Sequence, residues 1–147
     1  MTGVLDNLPV GFAATLGTIV IHGFMLHTVI IALQRNLQRG RLGPGLRMNL
    51  TFIGSATLFM LVAISLEVAL WALVLELCGA FADFATAVYC SAGSYTTLGS
   101  AGAALPPEWK LLGPMEAASG MLMFGISTAL IFAIVQSLIQ ARLEHSG

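Results

Sequence analysis

The sequence predicts an all-α membrane protein, with three transmembrane helices and a short re-entrant helix and loop between the second and third. Three observations predict it. Of 147 residues, 57% are hydrophobic and 9% charged, whereas a soluble domain carries about a quarter charged residues to wet its surface. Three stretches reach the roughly 20 predominantly apolar residues that a bilayer crossing needs. A fourth, residues 81–95, is too short to cross and too apolar for an exposed loop. The mean hydropathy of +0.90 agrees. A net charge of −1 excludes a nucleic-acid partner, which would need a basic face, and leaves the lipid bilayer as the expected surroundings.

The chain reads as one membrane domain. Residues 1–34 hold the first helix, apolar from Val10 to Leu33 and interrupted only by His22, His27 and small polar residues. The segment before it lacks the positive region of a signal peptide, so this helix is expected to remain as a span. Residues 35–49 form a basic loop, part of the polar run QRNLQRGRLGPGLR from Gln34 to Arg47. Residues 50–78 are the second helix, with Glu67 inside it and Glu76 near its end. Residues 79–112 are an outer segment, and 113–147 are the third helix with a short tail. Pro114 suits a helix start, where its missing amide hydrogen would have gone unpaired.

Orientation follows from the basic residues. Arg35, Arg39, Arg41 and Arg47 lie in or beside the first loop and Arg142 follows the third span, while Lys110 alone lies opposite. Positive charge is retained in the cytoplasm, so the first loop and C-terminus are expected inside and the N-terminus outside.

The outer segment carries the most information. Asp83 can accept backbone amides as the N-cap of a helix that runs inward through Tyr95. Thr96-Thr97-Leu98-Gly99-Ser100-Ala101-Gly102 follows, small and glycine-bearing. Irregular backbone at membrane depth must be buried in protein or line water. A half-helix followed by an extended strand satisfies that as a re-entrant loop.

In these residues, from Ala63 to Gln136, the chain resembles the pore domain of potassium channels. The resemblance rests on Tyr95-Thr96-Thr97-Leu98-Gly99 and on the later Gly120 and Phe124-Gly125-Ile126-Ser127-Thr128-Ala129. The layout is closest to small bacterial ion channels with one extra N-terminal helix. The resemblance implies a homotetramer in the inner cell membrane, with a pore helix and a selectivity filter whose backbone carbonyls replace the ion's water shell. It implies carbonyls from Thr97, Leu98, Gly99 and Ser100, with the Thr97 hydroxyl at the inner end. It makes Gly120 the inner-helix hinge and puts Thr128, Phe132 and Gln136, four apart, on the pore. Permeant ions would be K+ or Na+, with no other metal and no cofactor. Where the family continues Gly-Tyr-Gly-Asp, this chain has Gly99-Ser100-Ala101-Gly102. The bracing aromatic, the second glycine and the outer acid are replaced, so weakened potassium selectivity is expected.

Glu67 is the carboxylate set well inside a span, where a charge costs at least ~2.5 kcal/mol and needs a partner. It is expected to contact Tyr95, Ser94 or Thr96, as a filter support or as a hydrogen-bonded link between helices. His22 and His27, five apart, do not share a face well. Hydrogen bonds between helices are the expected reading, and pH sensing is the alternative. Glu108 and Glu116 read as a solvated face or as charges that gather cations at the outer mouth. Cys78 and Cys90 have no metal or redox spacing and read as small buried hydrophobes. Ser100 and Ser119 have no histidine in phase with them, the histidines lying on another span, so an enzyme is not expected. The first span has no arginine series, so no voltage sensor is expected. The alternative to a passive channel is a non-conducting scaffold that keeps the pore-domain fold.

Overall fold

With water excluded from the hydrocarbon, a spanning backbone must satisfy its own hydrogen bonds, and these apolar stretches do so as long helices. A computed structural model describes residues 2–42, 45–99 and 105–144. Four α-helices run through them: α1 (Thr2–Gln38), α2 (Leu46–Leu77), α3 (Phe84–Tyr95) and α4 (Leu112–Glu144), with a 3-10 turn at Pro107–Trp109. There is no strand among the described residues. Three segments are long and apolar enough to cross a membrane: Asn7–Gln38, Leu46–Leu77 and Pro107–Leu143. The chain is thus a multi-pass membrane protein.

The long helices form a bundle. α1 and α4 start at the same end, where the Asn7 amide donates to the Glu108 carbonyl at 2.5 Å, and α2 runs the other way. One apolar cluster (Met25, Val29, Ala56, Met60, Leu130, Ile134) packs the end that holds the α1–α2 turn. A second (Ala14, Val68, Trp71, Tyr95, Leu112, Met123) packs the opposite end and takes in α3. Arg142 at the end of α4 lies beside Leu46 and Asn49 at the start of α2. The arginine-bearing segments therefore gather at one end.

The loop expected at 35–49 is shorter than that, because its polar residues go on as helix. The Asn36 side chain donates to the Ala32 carbonyl at 2.8 Å, and α1 stops only at Gly40, whose φ is +63°. There the Gly40 amide reaches the Leu37 carbonyl at 2.9 Å and the Arg41 amide the Asn36 carbonyl at 3.1 Å. That is the Schellman cap, with glycine at the left-handed position. α2 ends the same way at Gly79 (φ +72°), with the Gly79 amide on Glu76 and the Ala80 amide on Leu75.

Candidate functional site

α3 has 12 residues, about 18 Å of helix, so it cannot cross. Its start is fixed by Asp83, whose carboxylate accepts from the Thr86 amide at 2.9 Å. That amide bond also holds the Asp83 carboxyl below the usual range. Ala87, Cys90, Ser91, Gly93, Ser94 and Tyr95 bury one face of α3 against α2 and α4. Its far end lies deep. The Tyr95 hydroxyl donates to Glu67 Oε2 at 2.5 Å, and Glu67 stands ten residues before the end of α2, about 15 Å down the helix.

Gly120 seats that end of α3. A Cβ there would stand 2.0 Å from the Tyr95 carbonyl oxygen and 2.9 Å from its carbon. Only glycine lets α4 pass so close to another backbone. α4 runs unbroken through this point. The Tyr95 ring also meets Phe124 edge-on, with centroids 6.0 Å apart.

The residues after Tyr95 turn back onto α3. The Thr97 amide reaches Ser94 O and the Leu98 amide Gly93 O, both at 2.9 Å, which is a third Schellman cap. Here the left-handed position holds Thr97, with φ +60°. A β-branched residue there is a true outlier, at about 1–2 kcal/mol, and both other caps use glycine. The expected extended strand thus cannot include Thr97, because the helix cap claims it. Gly99 is left-handed too, at φ +93°. Thr96, Thr97, Leu98 and Gly99 are all exposed, Leu98 by 83%. Ser100 lies outside the described residues.

Thr128, Phe132 and Gln136 share an exposed face of α4, Phe132 at 62%. α4 buries its other side through Ser119, Met123, Ser127, Leu130, Ile134 and Leu138.

Two buried polar groups flank α3. In the first, Glu67 Oε1 meets His22 Nδ1 at 2.9 Å and His22 Nε2 meets the Ser127 hydroxyl at 3.2 Å. One connected set, Ser127–His22–Glu67–Tyr95, therefore joins α4, α1, α2 and α3 between the two apolar clusters. Beside it Trp71 Nε1 donates to Thr18 Oγ1 at 3.2 Å. In the second, the Ser91 hydroxyl hydrogen-bonds both to the Val68 carbonyl, at 2.9 Å, and to Glu116 Oε1. Glu116 is fully buried and its Oε2 has no partner among the described residues.

Of the contacts expected for Glu67, Tyr95 is the one formed. His22 makes the interhelical bonds expected of it, whereas His27 is exposed. Packing of α1 on α4 also brings His22 to Ser127, a pairing outside the expectations. Two expectations are corrected. Glu116 is no part of a solvated face, because α4 turns it inward onto Ser91. Cys78 is only half-buried while Cys90 is buried, and both thiols are free.

Ser127, His22 and Glu67 stand in the order of a hydroxyl–imidazole–carboxylate relay. Oxyanion donors are what such a relay needs for acyl transfer. Ser127 sits mid-helix, where the neighbouring backbone amides are engaged in the helix itself. The arrangement can orient α1 and α3 and share protons.

His22, Ser91 and Ser127 were the partners that the sequence did not give. No family model, no curated protein and no solved structure matches this chain.

Proposed function

We propose that this chain is one subunit of a homotetrameric, passive monovalent cation channel of potassium-channel type, with weakened selectivity for potassium. The observation that carries the reading is the uncovered backbone at the deep end of α3. Non-helical backbone at that depth must face protein or water, and the described residues of one chain leave Thr96–Gly99 exposed. Further copies around an axis would supply both. α3 is then the re-entrant pore helix, and its C-terminus, equivalent to roughly −0.5 charge, faces the axis and favours a cation.

In this reading the carbonyls of Thr97, Leu98 and Gly99, continued by Ser100, coordinate K+ or Na+, and no other metal or cofactor takes part. Glu67, Tyr95 and Thr96 support the filter from behind. Thr128, Phe132 and Gln136 line a water-filled vestibule. Bending of α4 at Gly120 would carry the Tyr95 carbonyl with it, coupling hinge to filter. The protein sits in the inner cell membrane, its arginine end in the cytoplasm with the C-terminus and its N-terminus outside.

One observation favours a second reading, a non-conducting scaffold with the same fold. The Thr97 cap folds the chain back and turns the Leu98 side chain outward, which suits a collapsed filter.

The vestibule can be tested directly. With Cys78 and Cys90 replaced by alanine, Thr128→Cys in reconstituted liposomes should pass cations until a charged, water-soluble thiol reagent is added. Flux should then fall at least tenfold. His27→Cys, on the outer face of α1, should be unaffected. Equal insensitivity of the two variants would remove Thr128 from any ion path.

A further inference from the structure

Glu116 is a buried group that the proposed pore does not use, and its hydrogen bonds do not balance as a carboxylate. Ser91 has one hydroxyl proton and two partners, the Val68 carbonyl and Glu116 Oε1. A carbonyl can only accept. If the Ser91 proton goes to Val68, the bond to Glu116 needs a proton from Glu116. If Ser91 shares its proton, an ionised Glu116 is left with half a donor on one oxygen and none on the other, at 0% exposure.

Among the described residues no cation is placed to relieve that charge. The helices packed around Glu116 carry, among those residues, Tyr89, Cys90 and Tyr95 on α3, Glu67 and Glu76 on α2 and His22 on α1, while Arg35 and Arg47 stand at the opposite end and His27 is exposed. His22 is already bonded to Glu67 and Ser127. Glu108 and Lys110, before α4, are exposed. An isolated buried carboxylate in such surroundings takes up a proton instead of staying charged.

We propose that Glu116 is a buried proton-binding site: as a neutral acid it donates to Ser91, and that proton latches α3 to α2 and α4. The two carboxylates flanking α3 then do opposite work. Glu67 accepts from Tyr95 and is bonded to His22, while Glu116 donates. Loss of the Glu116 proton would put an unpartnered negative charge beside α3 and drive it from its seat. The latch does not depend on ion conduction.

Infrared spectroscopy of the purified protein tests the proposal. At neutral pH the wild type should show the C=O stretch of a protonated carboxylic acid. Glu116→Gln should lose the band, Glu67→Gln should keep it, and Ser91→Ala should shift it. Raising the pH should bleach the band together with amide-exchange protection of α3, and Glu116→Gln should keep α3 protected at that pH. A folded wild type without the band at neutral pH, or a band that survives Glu116→Gln, would overturn it.

Discussion

Glu67→Ala should lower stability by about 2–6 kcal/mol, because it leaves two buried hydrogen-bonding partners unsatisfied at about 1–3 kcal/mol each. The carboxylate is fully buried and joins the Tyr95 hydroxyl to His22. Its removal orphans two donors on two other helices and leaves a void between α1, α2 and α3. The magnitude is diagnostic. Ordinary interhelical hydrogen bonds in a membrane average only about 0.6 kcal/mol each, so two of them would give little more than 1 kcal/mol. Equilibrium unfolding in mixed detergent separates these figures. Glu67→Gln should lose less, because it still accepts from Tyr95 and His22 can change tautomer. His22→Ala and Glu67→Ala combined should cost clearly less than their sum, since both break one network.

Gly120→Ala is the second large effect. Its Cβ would stand 2.0 Å from the Tyr95 carbonyl oxygen, and that is backbone, which cannot swing aside. Overpacking costs typically about 1–3 kcal/mol, and here it must shift α3 or α4 bodily. The change should weaken the Tyr95–Glu67 bond along with the fold, seen as faster amide exchange in α3. Gly125 is the control on the same helix: nothing lies within 4 Å of a Cβ there. Gly125→Ala should leave α3 untouched and gain up to about 1 kcal/mol of helix propensity. Equal losses at both glycines would mean that close approach to α3 is not what Gly120 provides.

Hydropathy made the spans legible, because the bilayer thickness sets their length and the charge-poor runs stand out. Asp83 was legible as a cap for an equally local reason, since its carboxylate serves an amide three residues on. Pairings between helices were harder. A span in lipid is apolar on every side, so the sequence pattern does not mark which face turns inward. That is why Glu67 could be given a short list of partners on α3, yet Ser127 and Ser91 were missed. Glu116 misled for the same reason: a glutamate near a helix end reads as solvated until the packing of α3 covers it. The end of α1 was misplaced because Arg35, Asn36 and Gln38 are polar but still helical, and the stop is the left-handed Gly40. Thr97 could not be foreseen at all, since a β-branched residue is the wrong choice for the position it holds.

Ion flux from reconstituted liposomes tests the central claim most directly, comparing potassium, sodium and a large organic cation for the wild type and Gly99→Pro. Gly99 has φ +93°, which proline cannot adopt, so the substitution should disrupt the filter while sparing the buried contacts of α3. The account predicts that potassium and sodium pass at comparable rates, that the organic cation is excluded, and that Gly99→Pro abolishes the flux. A folded, assembled wild type that passes none of the three ions across a range of pH and voltage would contradict it.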